Sequence, residues 1–143
     1  MFRRSAFQAL SMVALTCGSA CARNSVKPSL TLDGQWGGEH VVLTSSESAT
    51  HVEFDCAHGD LSSQIKTDSQ SRFSLAGTFV REHGGPVRQG ENIDSHPASY
   101  EGSVSADTMT LAVRLMDSNE SIGTFNLTRG AAGHVVKCLQ LTR

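Results

Sequence analysis

Thr108-Met109-Thr110-Leu111-Ala112-Val113-Arg114-Leu115-Met116 decides the fold class, because Met109, Leu111, Val113 and Leu115 fall on every second residue. A period of two turns one set of side chains to a core and the intervening set to water, which is the pattern of a half-buried β-strand. Working outward, Val52, Phe54 and Cys56 alternate with Glu53 and Asp55, and further stripes run through Phe73, Leu75, Gly77 and Phe79, through Tyr100, Gly102 and Val104, and through Phe125 and Leu127. Turn-forming clusters separate them: Ser45-Ser46-Glu47-Ser48, His58-Gly59-Asp60, Asp68-Ser69-Gln70-Ser71, Ala106-Asp107, Asp117-Ser118-Asn119-Glu120 and Arg129-Gly130-Ala131-Ala132-Gly133. No stretch sustains a helical period, so the chain reads as all-β.

The stripes predict about eight strands near 34–44, 50–56, 61–67, 73–82, 98–104, 108–116, 121–128 and 134–141. Only the connection over 84–97 is long. Short strands in hairpin order, with no crossover helix, predict a single antiparallel up-and-down β-barrel of about eight strands, with a closed β-sandwich as the alternative. Closure removes the unpaired edges that invite aggregation.

The N-terminus carries an address. Arg3 and Arg4 precede the apolar run Ala6, Phe7, Ala9, Leu10, Met12, Val13, Ala14 and Leu15, and small residues lead to Cys21. This is the layout of an export signal over 1–20, too short to remain as a membrane span. Cleavage before Cys21 leaves a cysteine for lipid attachment, and thus a membrane anchor; cleavage after Ala22 releases a soluble chain. Residues 21–29 then form a tether and 30–143 one barrel domain, placed at the bacterial cell envelope. Of twelve Lys and Arg, two lie in the signal, and against fourteen Asp and Glu the mature chain carries a charge of −4. Without a basic patch, nucleic acid is excluded as a partner. Cys17 leaves with the signal and Cys21 is terminal, so Cys56 and Cys138 remain to form a disulfide in an oxidising compartment.

Gly34-Gln35-Trp36 is a G-x-W at the start of the first strand. It resembles the opening of the calycin barrels, which include lipocalins, fatty-acid-binding proteins and avidins. The resemblance implies an indole plugging the barrel floor and a lumen for a small apolar ligand, with Trp36, Phe54, Phe79 and Tyr100 as candidate ligand-binding residues. Trp36-Gly37-Gly38-Glu39-His40, Phe54-Asp55-Cys56-Ala57-His58-Gly59 and Glu82-His83-Gly84-Gly85-Pro86 resemble phrases of small exported bacterial proteins of unassigned activity, which implies a fold and a compartment but no mechanism. Phe54-Asp55-Cys56-Ala57-His58-Gly59 is also similar to the aromatic-x-Cys-x-x-Gly turn of envelope lysozyme inhibitors, which implies an interaction module for another envelope protein.

The six histidines supply the remaining chemistry. In a meander, His40, His58, His83 and His96 fall toward one mouth of the barrel, with His51 and His134 at the other. Imidazoles converging at a mouth are candidate ligands for a transition metal such as zinc, with Glu39, Glu82, Asp55, Asp60 and Arg81 as neighbours. Against this, no two of the four show the short ligand spacing of a metal motif, and loop histidines often serve turn backbones. No G-x-S-x-G elbow is present, and whether the chain is an enzyme is left open. Non-enzymatic binding, or a structural barrel with a filled core, is the expected role.

Overall fold

The structure is a computed structural model and describes residues 29–86 and 88–138. The expected signal, Cys21 and the tether through residue 28 lie outside the described residues, as do 139–141 of the last expected strand. The chain forms β1 (Gly34–Gly38), β2 (Val41–Ser45), β3 (Thr50–Phe54), β4 (Ala57–Leu61), β5 (Arg72–Arg81), β6 (Asp94–Ser105), β7 (Thr108–Leu115) and β8 (Ser121–Arg129). Every strand pairs antiparallel with the next and β1 pairs with β8, closing an eight-stranded barrel. No helix occurs among the described residues.

The count of eight arises differently from the sequence expectation. The first expected strand, 34–44, is two strands: the chain reverses at Glu39-His40, with Gly38 opposite Val41 and His40 in the left-handed region at φ 66°. The second ends at Phe54 and reverses in the same way through Asp55 and Cys56, whose φ is 49°. β4 therefore occupies Ala57–Leu61, and the expected strand over 61–67 is a loop crossing one end of the barrel. At the C-terminus, His134 makes only a single bridge to Glu39, and the described part of the last expected strand runs as a strap over hairpin tips.

The first four strands have five residues each and the last four have eight to twelve, so the long ones overhang. β4 pairs with β5 only from Thr78 to Arg81, and β1 pairs with β8 only from Leu127 to Arg129. The barrel is continuous at mid-height and stepped at both of these seams.

Inward side chains form one hydrophobic cluster that includes Leu43, Val52, Phe54, Phe79, Tyr100, Leu111, Val113 and Leu127. At the floor, Leu32 and Ile65 are fully buried, their segments joined by the bonds from the Leu32 amide to the Ile65 carbonyl and from the Thr67 amide to the Leu30 carbonyl, both 2.9 Å. Trp36 is also fully buried, and the Arg129 guanidinium carbon lies 4.4 Å from its ring centroid, covering it. The opposite end, the rim, carries the Glu39-His40 and Asp55-Cys56 tips, the described parts of the connection from β5 to β6 and the turn after β7. Because the chain enters beside Leu30, the N-terminal side of the domain is at the floor.

Candidate functional site

Strand direction does bring His40, His58, His83 and His96 to the rim end. There they separate. His40 Nδ1 lies 2.5 Å from Asp55, His58 Nδ1 2.7 Å from Glu82, and His83 Nε2 2.8 Å from Glu91. His96 uses both ring nitrogens, Nδ1 at 2.7 Å from Asp117 and Nε2 at 2.8 Å from Asp94. His58 stands on the outer wall, since its neighbours Ala57 and Gly59 are the buried, inward positions of β4. Among the described residues, no three His, Cys, Asp or Glu side chains are grouped to hold a metal ion.

The two histidines assigned to the far end behave differently. His134 stands at the rim, its amide donating to the Gly38 carbonyl at 2.9 Å and its ring 3.3 Å from Glu39. That placement corrects the meander argument, which took residues 134–141 as a strand leaving the floor. His51 lies on the outer wall of β3 between Asp60 (2.6 Å) and Glu53 (2.8 Å), its ring centroid 5.9 Å from that of His58. All six imidazoles thus face at least one carboxylate, a regularity hidden in the sequence because most of the partners are remote along the chain.

The His96 cluster has a pH consequence. Hydrogen bonding to Asp117, then to Asp94, raises the His96 pKa above its ordinary value, and the same contact with His96 lowers that of Asp117. A raised imidazole stabilises fully below its unfolded pKa of about 6.5 and ceases to as pH climbs through the folded value; a depressed carboxylate stabilises above about 3.9 and fails as pH falls through its folded value. The urea midpoint is therefore expected to peak in mildly acidic solution, between those limits, and to decline toward pH 8.5. His96→Gln should flatten the alkaline decline; an unchanged decline in the variant would refute the assignment.

The candidate ligand-binding residues Trp36, Phe54, Phe79 and Tyr100 do converge inside the barrel. Phe54 contacts Phe79 at 5.4 Å and Phe125 at 5.2 Å between ring centroids. Tyr100 is fully buried, and its hydroxyl donates to the Thr78 carbonyl at 2.6 Å. Burial pushes the Tyr100 phenol well above its ordinary pKa, so it stays neutral and a donor. Gly59 and Gly77 face this side chain: a Cβ at Gly59 would overlap the Tyr100 hydroxyl, and one at Gly77 would stand 3.2 Å from its ring. Phe54, Phe79 and Phe125 thus meet each other inside the barrel, and Tyr100 lies along the wall over Gly59 of β4 and Gly77 of β5.

Sequence reading missed the strap. After β8 the chain packs Gly133 against Gly37, where a Cβ would collide with the Gly133 backbone, and continues over both hairpin tips. The His40 amide donates to the His134 carbonyl (2.7 Å), the Cys56 amide to the Val136 carbonyl (2.9 Å), and the Val136 amide to Asp55 Oδ1 (2.7 Å). That last bond is the main reason that the Asp55 carboxyl sits below its ordinary pKa, with His40 adding to it. Lys137 pairs with Glu53, and the Cys56–Cys138 disulfide, with Cα atoms 4.8 Å apart, fastens the end. The signal for this was Gly37-Gly38 inside a strand, matched by a second glycine at 133.

No family model, no curated protein and no solved structure matches this chain.

Proposed function

We propose that this is a non-enzymatic protein of the bacterial cell envelope, exported and lipid-anchored through Cys21, whose barrel is a rigid module that binds another envelope protein on its outer surface. The observation that carries the reading is the packed interior: Tyr100 and Trp36 are fully buried, and glycines rather than free volume face Tyr100. An eight-stranded barrel either holds a small ligand or is just wide enough for its own side chains to fill it. Packing of this kind favours the second, and so moves recognition from the lumen to the wall and rim.

Two further features agree. A disulfide tying the last described residue to a hairpin tip suits an oxidising compartment. The chain enters the barrel at the floor, so an anchor on Cys21 holds that end toward a membrane and leaves the rim, with the exposed side chains of Ile93, Met116 and Val136, free. The test is mass spectrometry of the full chain recovered from membranes of a bacterial host, intact and after cross-linking. The expected result is a diacylglyceryl-modified Cys21 at the N-terminus, no co-purifying small molecule, and a cross-linked adduct with one envelope protein. A stoichiometric apolar molecule in the native spectrum, or an uncleaved cytoplasmic chain, would overturn the reading.

A further inference from the structure

The strap over 131–138 is attached to the barrel without being part of it. Closure is made by the three β1–β8 pairs, Trp36 with Arg129, Gly37 with Thr128 and Gly38 with Leu127, all of which precede the strap in the chain. The hydrophobic cluster likewise ends at Leu127, so among the described residues none of the strap contributes to the core. Lifting it leaves the interior covered.

What holds the strap is local. The His134 amide donates to the Gly38 carbonyl and the His40 amide to the His134 carbonyl, and further along the Cys56 amide donates to the Val136 carbonyl while the Val136 amide reaches Asp55. Two ionic contacts, Lys137 with Glu53 and His134 with Glu39, join side chains that are 30 to 70 % exposed, so water and salt screen them. Gly130 and Gly133, left-handed at φ 72° and 71°, let the backbone redirect where the segment leaves β8. The disulfide is the one strong tie. Cys56 belongs to the barrel, where its carbonyl accepts from the Glu82 amide at 2.7 Å, and Cys138 belongs to the strap. Both are only half-buried, which leaves the bond open to an external thiolate while the barrel stays closed.

We propose that Cys56–Cys138 is a redox switch: a protein dithiol of the envelope reduces it in the folded chain, the strap lifts from the rim, and the barrel remains intact. One thiolate of the reductant attacks one sulfur of the pair, and the other sulfur leaves as a thiolate that takes up a proton. The reductant's second thiol then attacks the mixed disulfide and frees the remaining cysteine. Two electrons and two protons pass to the protein, and the reductant becomes a disulfide. Opening strips Asp55 and Glu53 of their strap partners, frees the His40 and Cys56 amides and places two thiols at the rim. The face offered to the surroundings therefore differs between the two forms.

This goes beyond the partner-binding reading above and does not depend on it. The test is reduction of the purified full chain by dithiothreitol without denaturant, read by alkylation with peptide mapping and by amide exchange. Cys56 and Cys138 are both expected to alkylate. The His40, Cys56 and Val136 amides should then exchange within fivefold of the rate of an unfolded chain, whereas the Tyr100 and Leu111 amides stay at least a hundredfold slower than that rate. Reoxidation by glutathione disulfide should restore protection of the strap. Cys138→Ser should show the open pattern with no reductant and no response to it, and the unaltered chain decides if that variant does not fold. A disulfide that yields only after urea has unfolded the barrel, strap amides that stay protected after reduction, or Tyr100 and Leu111 amides released together with them would each overturn the proposal.

Discussion

Cys138→Ser is expected to cost about 4.5 kcal/mol of folding stability, the loop-closure value for a sequence separation of 82, and to release the strap from the rim. The two effects have one origin. The strap is not a sheet strand; it is held by three backbone bonds to two-residue hairpin tips, by Asp55 and by the Lys137–Glu53 pair. Without the disulfide those contacts must order the segment alone, against roughly 1 to 2 kcal/mol of backbone entropy per residue. Urea unfolding under non-reducing conditions should show the loss, and the His40, Cys56 and Val136 amides should lose their exchange protection together. Cys56→Ser should cost no less, and the double variant little more, since a single bond is removed in each case. Cys56 is left-handed, so Cys56→Gly combined with Cys138→Ser should recover about 1 kcal/mol relative to the double serine variant. A loss below 1 kcal/mol in Cys138→Ser, or a Val136 amide that stays protected, would show that the strap stands without its fastening.

The long strands were legible because their inward positions are large. Met109, Leu111, Val113 and Leu115 announce β7 unaided, and β5, β6 and β8 carry comparable stripes. β4 was not legible: its inward positions include Ala57 and Gly59, and the volume at Gly59 comes from Tyr100 on β6, 41 residues later in the chain. A strand whose core is donated by the second strand along looks like a turn. The Glu39-His40 reversal escaped notice for a related reason. A left-handed residue in a two-residue turn is usually Gly or Asn, and here it is His40, held by the His134 carbonyl and by Asp55. At the candidate site, strand direction was enough to place His58, His83 and His96 toward one end, whereas His40 arrives there through a reversal that the expected strand over 34–44 lacked. Which way each ring turns depends on the pleat and on carboxylates remote in sequence, such as Glu82 for His58 and Asp117 for His96.

Trp36→Ala is expected to remove about 4 kcal/mol, near the middle of the range for deleting a buried large aromatic. The indole is fully buried two residues from the start of β1, opposite Leu43 on β2 and Arg129 on β8, so it sits where the barrel closes on itself. Collapse around the deletion is limited, because the three β1–β8 pairs are all that join the first and last strands. Loss of the ring also strips Arg129 of the surface it covers at 4.4 Å, leaving Asp107 at 3.5 Å as its remaining ion-pair partner. Trp36→Phe separates volume from polarity. Trp36 Nε1 is buried without a hydrogen-bond partner among the described residues, so phenylalanine forfeits packing area but no hydrogen bond. Its cost should be about 1 to 2 kcal/mol, well below that of alanine. Arg129→Met, which keeps an apolar stem over the ring and discards the charge, should cost about 1 kcal/mol or less, because an exposed cation–π contact is worth little more than half of that. Urea unfolding of the three variants beside the parent chain measures all of this. A cost of under 1.5 kcal/mol for alanine would mean that the floor is not sealed by the indole. The packed interior, and with it the argument that recognition happens outside the barrel, would then lose its foundation.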